Sequence, residues 1–231
     1  DYIGPELTRK NLEDELATDL SPVDEGSYRQ LSIGVHTDSL SAWLMHALIP
    51  FLRSRRLTVE ILQDDQDRVL GFLKDGTASA CVSPQAEAVQ GCTVSLLGTL
   101  RYKLVASPEF RDSYFPAGMG PQHLALAPLV HSDRNDSLQY SALRYLLGTE
   151  PPPCPAHYAP STEAYMELLL AGLGYGLATD IQARPHLQSG RLVELDQRAR
   201  LNLTLYWHRW RKGPHILDEL GDALRLAAPQ V

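Results

Sequence analysis

Two pairs of hydroxyl residues occur where a carboxylate could be bound. Ser39 and Ser41 follow an apolar strand pattern and open a helix pattern, and Ser161 and Thr162 do the same in the second half of the chain. A hydroxyl beside the unpaired N–H groups of a helix N-terminus can hold a carboxylate, or it can simply cap its helix. Because such a pair occurs in each half, both interpretations stay open.

Acidic residues follow or flank the ends of several predicted strands. Most acids in such positions are surface or N-capping residues, but paired carboxylates can also clamp a guanidinium or ammonium group. We expect one or two of these acids to face a ligand. The five candidates are Asp64, Asp65, Asp133, Asp136 and Glu163.

Motifs for catalysis and metal binding are missing from the sequence. It contains no G-x-S-x-G, no phosphate-binding loop and no H-E-x-x-H,. The glycines at 172, 174 and 176 follow a helix pattern and precede a strand, which is the reverse of a dinucleotide loop, so we interpret them as a helix C-cap and turn,. Cys154 and His157 form a lone C-x-x-H, and two ligands alone do not indicate a metal site,. The sequence predicts no catalytic residue, no metal and no cofactor.

The charge balance argues against a nucleic-acid surface. The 231 residues include 21 Lys and Arg and 28 Asp and Glu, which gives a net charge of −7. An acidic chain repels phosphates. Residues 206–212 mix aromatic and basic side chains, which could stack on bases, although a strand ending in a solvated turn explains them as well,.

The cysteine content and the hydropathy of the sequence indicate where in the cell the protein acts. The 3 cysteines, Cys81, Cys92 and Cys154, cannot all pair within one chain, which favours a reducing cytoplasm,. No uninterrupted apolar stretch reaches the ~18 residues of a membrane span. The sequence begins at Asp1 rather than methionine, and we therefore expect a fragment or a processed product,.

Strand and helix patterns alternate from residue 31 onward. A charged helical stripe at 5–20 and a linker precede them. The alternation predicts an α/β fold with mainly parallel sheets, and two similar halves predict two Rossmann-like lobes. In such sheets ligands bind beyond the carboxyl ends of the strands, so we expect a ligand cleft between the lobes.

Several segments resemble one known family. The residues Ile33-Gly34-Val35, Asp38-Ser39-Leu40 and Trp43-Leu44-Met45 resemble the first strand and helix of the effector-binding domain of LysR-type transcriptional regulators. The residues Ser161-Thr162-Glu163-Ala164 and the glycine turn after Ala171 resemble the second lobe of that domain. The residues around Ser39, together with Leu205-Tyr206-Trp207-His208-Arg209, are similar to the ArgP branch, the arginine- and lysine-responsive regulators.

This resemblance implies a domain organisation. It implies the fold of type 2 periplasmic binding proteins, with lobe I at 31–104 and 207–231 and lobe II at 105–206. Residues 1–30 would be the end of a linker helix and a linker. A winged helix-turn-helix, absent from this chain, would bind DNA. The domain would form homodimers and the full-length protein tetramers, without membrane attachment.

The resemblance also implies an effector site. Ser39 would hold an effector carboxylate from lobe I, and Ser161 and Thr162 would contact it from lobe II. The next candidates are His36, Asp38 and Asp65 in lobe I and Asp133 in lobe II. The effector would be an amino acid, with arginine or lysine the first choice. His36, His46 and Thr179 depart from the residues usual in the family, which puts the identity of the effector in doubt.

Three functions remain as hypotheses. The first is a non-catalytic effector-sensing domain of a LysR-type regulator. The second is a periplasmic amino-acid-binding protein of an ABC transporter, which the three thiols and the charged segment at 5–20 disfavour. The third is an enzyme on the same fold, which lacks a recognisable set of catalytic residues here.

Overall fold

The computed structural model describes residues 28–65 and 68–230. The predicted helical stripe at 5–20 and its linker lie outside the described residues. No helix in the described ranges is both long enough and apolar enough to cross a membrane.

The described residues form two compact units. Unit 1 takes the residues up to Leu100 and those from Thr204 onward, and unit 2 takes Arg101–Leu203. The chain therefore passes between the units twice, each time within a strand. The lobe boundaries suggested by the family resemblance, after 104 and before 207, stay a prediction.

Unit 1 begins with a strand, a long helix and two further strands. Its first helix is continuous but contains a π-helical segment, Leu40–Leu44, between the α-helical segments Thr37–Ser39 and Met45–Arg53. We call this helix α1. The other elements of unit 1 are β1 (Arg29–His36), β2 (Leu57–Asp64), α2 (Gly71–Lys74), β3 (Ala80–Ser83), the start of β4 (Cys92–Ala106), most of β9 (Leu201–Trp210) and the last helix, α8 (Ile216–Ala227).

β1 is an interior strand of the sheet in unit 1, next to the edge strand β2. β1 pairs in parallel with β2 and with β3, and β3 pairs antiparallel with β9. Ile33 and Val35 of β1 are fully buried, as expected for an interior strand with both faces covered,. Helix α8 packs against α1, and the indole Nε1 of Trp207 donates to the carbonyl of Leu217, 3.1 Å away.

Unit 2 continues the alternation with shorter strands. It contains the end of β4, the beginning of β9 and a 3-10 turn at Gln197–Ala199. Its other elements are α3 (Pro108–Tyr114), α4 (Pro121–Leu124), β5 (Leu129–His131), α5 (Leu138–Leu147), β6 (Ala156–Tyr158), α6 (Thr162–Leu170), β7 (Gly176–Thr179), α7 (Asp180–Gln188) and β8 (Val193–Glu194).

The pairing in unit 2 is parallel where α/β crossovers join the strands. β5 pairs in parallel with β6, whereas β4 pairs antiparallel with β7 and β8. Val105, Val130 and Leu169 lie in one buried cluster between these elements. The predicted α/β class is confirmed, but the expectation of mainly parallel sheets is wrong, because antiparallel ladders occur in both units beside the parallel ones. These antiparallel ladders involve β4 or β9, the strands that pass between units.

The structure corrects two local predictions. The helix expected to start at Ser41 starts at Thr37, because the chain turns from strand to helix directly after His36. Helix α7 was not predicted, since it carries Pro185 and lacks a strong apolar stripe. The predicted C-cap turn at Gly172 is confirmed by its φ of +71°,.

Candidate functional site

Three parallel strands of unit 1 end side by side in polar residues. His36 pairs in register with Asp64, and Val35 pairs with Val82, one residue before Ser83. The carboxyl ends of β1, β2 and β3 therefore meet at one edge, where α/β proteins bind ligands. We call this set, with the residues that follow His36 and Asp64, the β1-end site.

The predicted residues His36, Asp38 and Ser39 lie together in the β1-end site. His36 is 3% exposed and Ser39 is fully buried. The Ser39 hydroxyl lies 3.5 Å from Nδ1 of His36, at the limit of a hydrogen bond, and Nε2 of His36 lies 3.9 Å from the Asp38 carboxylate. The buried hydroxyl and imidazole are thus held by the first turn of α1.

Neither serine of this segment caps α1, which corrects the prediction. Ser39 is the third helical residue, and its side chain makes no cap hydrogen bond within the described part of the chain. Ser41 donates back to the carbonyls of Thr37 at 3.2 Å and Asp38 at 3.4 Å. The π-helical segment at Leu40–Leu44 follows at once, and such segments occur frequently at functional sites,.

Asp64 and Asp65 share one guanidinium. Nη2 of Arg68 lies 2.8 Å from Oδ1 of Asp64 and 3.0 Å from Oδ2 of Asp65, and Nε of Arg68 lies 2.9 Å from the same Asp64 oxygen. The two carboxylates therefore bind a guanidinium together, but it is that of Arg68, and their contact with a ligand stays a prediction.

In unit 2, β5 and β6 end side by side at His131 and Tyr158. Ala159 N–H donates to the carbonyl of His131 at 2.9 Å, so the pairing extends one residue further. The ends of these strands, the loop at 132–136 and the start of α6 form what we call the β5-end site.

Ser161 is the N-cap of α6, as predicted. Its hydroxyl accepts from the backbone N–H of Ala164 at 3.1 Å, and the side chain is exposed. Thr162 is the first residue of the helix rather than a cap, and Glu163 lies in its acidic first turn. Anions are favoured at such an exposed helix N-terminus.

Asp136 organises the loop of the β5-end site. One oxygen of its carboxylate accepts from the Ser132 N–H at 3.1 Å and the Ser132 hydroxyl at 3.3 Å, and the other accepts from the Leu138 N–H at 3.2 Å. Asp133 accepts from the Asn135 N–H at 2.6 Å. Of the two predicted acids in this loop, Asp136 has the larger structural role.

His131 belongs to the β5-end site and was missed by the sequence analysis. It is 3% exposed, and its ring lies close to those of Tyr140 and Tyr158, with centroids 5.3 Å and 5.6 Å away. Nδ1 of His131 lies 3.8 Å from the Asp136 carboxylate. Burial lowers the pKa of His131, and the charge of Asp136 partly opposes that shift.

An internal repetition could have revealed this histidine. Val35-His36-Thr37-Asp38 recurs as Val130-His131-Ser132-Asp133, each at the end of a buried strand. Two lobes with the same fold are expected to have similar residues at the ends of corresponding strands. The histidine therefore occupies the equivalent position in each unit, at the carboxyl end of a buried strand.

A buried hydrogen-bond network lies next to the β5-end site. The Gln139 side chain donates to the Tyr165 hydroxyl at 3.0 Å and accepts from the Leu177 N–H at 2.9 Å. The Tyr165 hydroxyl in turn donates to the carbonyl of Leu177 at 2.8 Å. This network links α5, α6 and β7, and it fixes the loop that precedes α5.

The described residues contain no group of three or more His, Cys, Asp or Glu side chains arranged to hold a metal ion. Cys81 and Cys92 are buried, and burial raises the pKa of the Cys81 thiol to about 12. Such a thiol stays protonated and unreactive at neutral pH.

Comparison with known proteins identifies relatives over nearly the whole chain. A family model described as the LysR substrate binding domain matches residues 24–228. The HTH-type transcriptional regulator ArgP of Aeromonas salmonicida is 37% identical over 201 residues, which are 87% of this chain and 67% of the relative. The ArgP regulator of Pseudomonas fluorescens is 36% identical, covering 89% of this chain and 68% of its own length.

Solved structures give the same result. The C-terminal domains of a LysR family protein from Agrobacterium tumefaciens superpose with a TM-score of 0.81 at 35% identity, covering 88% of this chain and all of that one. ArgP from Mycobacterium tuberculosis gives a TM-score of 0.85 at 27% identity, covering 95% and 74%. Full-length LysG from Corynebacterium glutamicum with bound effector arginine gives 0.81 at 27%, covering 97% and 75%. These relatives are regulators, and they give no support to the periplasmic-transport alternative.

Proposed function

The chain belongs to the LysR substrate-binding domain family and is the effector-binding domain of an ArgP-like LysR-type regulator, and on that premise we propose that its effector is a basic amino acid, arginine in the first place. The family consists of transcriptional regulators, and we propose that this chain has no catalytic activity. It acts in the cytoplasm and contacts DNA only through an N-terminal winged helix-turn-helix of the longer protein.

One observation carries the choice of a basic effector. The Asp64 and Asp65 carboxylates are spaced so that a single guanidinium, that of Arg68, reaches both of them at 2.8 Å and 3.0 Å. Guanidinium groups bind carboxylates through paired hydrogen bonds of this length. Because Arg68 is 47% exposed, its ion pairs contribute little to stability, and an effector guanidinium can take its place,.

The remaining predicted residues have complementary roles in this proposal. Ser39 binds the effector carboxylate from unit 1, and Ser161 and Thr162 bind it at the N-terminus of α6. His36 and Asp38 orient the Ser39 hydroxyl, and Asp133 adds negative charge for the cationic end. Effector binding controls DNA binding through a homodimer of this domain, within a tetramer of the full-length protein.

A ligand screen by thermal unfolding, followed by calorimetric titration, tests the proposal. A ligand present at 100 times its Kd adds about 2.7 kcal/mol of stability. For a chain of this length the midpoint of unfolding should rise by roughly 5–10 °C with arginine or lysine. The same screen with glutamate, leucine and methionine is expected to give no shift.

A pair of variants connects the effector to the clamp. Asp65→Asn removes one carboxylate and should weaken arginine binding about tenfold or more. Asp75→Asn, an exposed acid of the same unit, is the matched control and should bind arginine like the wild type. A stabilising ligand from another chemical class, or equal binding by both variants, would overturn the proposed effector or its site.

A further inference from the structure

The imidazole of His131 carries a buried nitrogen that lacks a partner. His131 is 3% exposed, and its Nε2 has no hydrogen-bond partner among the described residues. Leaving a buried acceptor or donor unpaired is unfavourable, because the group has lost its hydrogen bonds to water and gained none in the protein. Such a group at the end of a strand, beside polar loops, is suited to meet a ligand.

The neighbouring carboxylate determines which kind of partner Nε2 needs. Nδ1 of His131 lies 3.8 Å from Oδ2 of Asp136, so the negative charge favours the tautomer with its proton on Nδ1,. In that tautomer Nε2 presents a lone pair. The missing partner is therefore a hydrogen-bond donor.

The surroundings of the ring favour a positively charged donor. Tyr158 stacks on His131 with an interplanar angle of 20°, and the guanidinium of Arg134 lies 4.8 Å from the centroid of the Tyr158 ring. Aromatic faces attract cations, and Arg134 shows that this ring accepts a guanidinium. The carboxylates of Asp133 and Asp136 in the same loop add two negative charges.

We propose that His131 is a specificity-determining residue of the effector site, whose Nε2 accepts a hydrogen bond from a cationic N–H group of the effector beside the Tyr158 ring. This inference rests on the proposed function, because it assumes a basic amino acid. It adds His131 to the residues proposed to contact the effector, with a nitrogen of the effector rather than its carboxylate as the partner.

Calorimetric titration of the whole chain with L-arginine tests this role. His131→Phe keeps an aromatic ring close to Tyr140 and Tyr158 but removes the nitrogen, and we expect a loss of roughly tenfold or more in affinity. His186→Phe, on α7 of the same unit, is the matched control and should bind like the wild type. Equal affinity of His131→Phe and wild type would overturn the inference.

A conservative variant and a spectroscopic readout separate binding from folding. The side-chain amide oxygen of His131→Gln can accept a hydrogen bond, so this variant should recover part of the affinity. In the wild type, the ¹⁵N resonance of the unprotonated His131 nitrogen should move to lower frequency when arginine is added, as expected for a new hydrogen bond. An unchanged resonance at saturation overturns the inference even if His131→Phe fails to fold.

The pH dependence of arginine affinity gives a third readout. Burial holds the pKa of His131 below its ordinary value of 6.5, so the ring is neutral at pH 7. Protonation in more acidic solution removes the lone pair and adds a repelling charge, and wild-type affinity should decline there more steeply than that of His131→Gln. Among the described residues, the charged or titratable groups near the ring include Asp133, Asp136, Arg134, Tyr140 and Tyr158.

The two proposals fail in different ways. If neither arginine nor lysine binds the wild type, the proposed function is wrong and the role of His131 is lost with it. If the wild type binds arginine and His131→Phe binds it equally well, the proposed function stands and His131 has no part in recognising the effector.

Discussion

The strand ends at His36 in unit 1 and at His131 in unit 2 have nearly the same sequence, but a helix follows the first and a loop follows the second. In unit 1, Val35-His36-Thr37-Asp38 leads directly into α1, and Asp38-Ser39-Leu40 lies within the helix. In unit 2, Val130-His131-Ser132-Asp133 leads into a loop, and the similar residues Asp136-Ser137-Leu138 come only at the start of α5.

This difference decides which polar groups are paired within the chain. In unit 1 the immediate helix brings the Ser39 hydroxyl to 3.5 Å from Nδ1 of His36. In unit 2 the loop folds around Asp136, which accepts from Ser132, and Nε2 of His131 has no hydrogen-bond partner among the residues that the structure describes. The two histidines therefore lie at similar strand ends but in different polar surroundings.

Replacing Gln139 with leucine tests whether the β5-end site depends on its buried network. The Leu177 N–H and the Tyr165 hydroxyl would each lose a partner, and we expect a loss of about 2–4 kcal/mol in the free energy of unfolding,. Urea unfolding measures it, and Gln122→Leu on the exposed side of α4 is the control. A loss below about 1 kcal/mol would mean that the network contributes little.

The sequence predicted the features of this comparison that are encoded locally. Ser161 precedes a helical stripe and does cap α6, and Gly172 ends its helix with positive φ. Such caps depend on a few neighbouring residues, so a pattern of residue types is enough to locate them.

Features assembled by distant residues were not predictable in this way. The helix expected at Ser41 starts at Thr37, whose hydroxyl donates to the carbonyl of Asp64 on the neighbouring strand at 3.0 Å. His131 acquires its environment from Tyr140 on α5 and Tyr158 on β6. Because these partners are brought together only by the fold, no periodicity in the sequence marks them.

Alanine substitutions at the two serines should separate a capping hydroxyl from a non-capping one. Ser161→Ala removes the bond to the Ala164 N–H and should cost about 1 kcal/mol of stability,. Ser39→Ala removes only a marginal contact with His36 and should cost less than about 0.5 kcal/mol,. Urea unfolding of both variants measures which substitution costs more stability, and arginine titrations measure the effect of each on binding. The reverse order would show that Ser39 has the larger structural role.

Acid titration of Asp180 compares charge pairing in the two units. Hydrogen bonds from Arg184 and Lys103 hold the pKa of Asp180 below its usual 3.8. A carboxyl with a depressed folded pKa stabilises the fold above its unfolded pKa, and that contribution disappears as the pH falls through the folded value. Asp180→Asn should therefore cost about 1 kcal/mol at pH 7 and almost nothing near pH 2.

The control for Asp180 lies in unit 1. Asp222 pairs with Arg225 at 2.8 Å, but its side chain is 70% exposed, so Asp222→Asn should change stability by less than about 0.5 kcal/mol at either pH,. Urea unfolding at several pH values measures both variants. Parallel pH profiles of Asp180→Asn and the wild type would contradict the assigned role of Asp180.

Removing Arg68 is the smallest perturbation and the sharpest test of the unit 1 clamp. The Arg68 side chain is 47% exposed, so Arg68→Gln should change the free energy of unfolding by no more than about 0.5 kcal/mol,. It should nevertheless strengthen arginine binding several-fold, because an effector guanidinium no longer has to displace Arg68 from Asp64 and Asp65. Arg225→Gln, an exposed arginine of the same unit, should change neither quantity. Weaker binding by Arg68→Gln would instead mean that Arg68 contacts the effector carboxylate, and the two carboxylates would then serve to hold Arg68 in position.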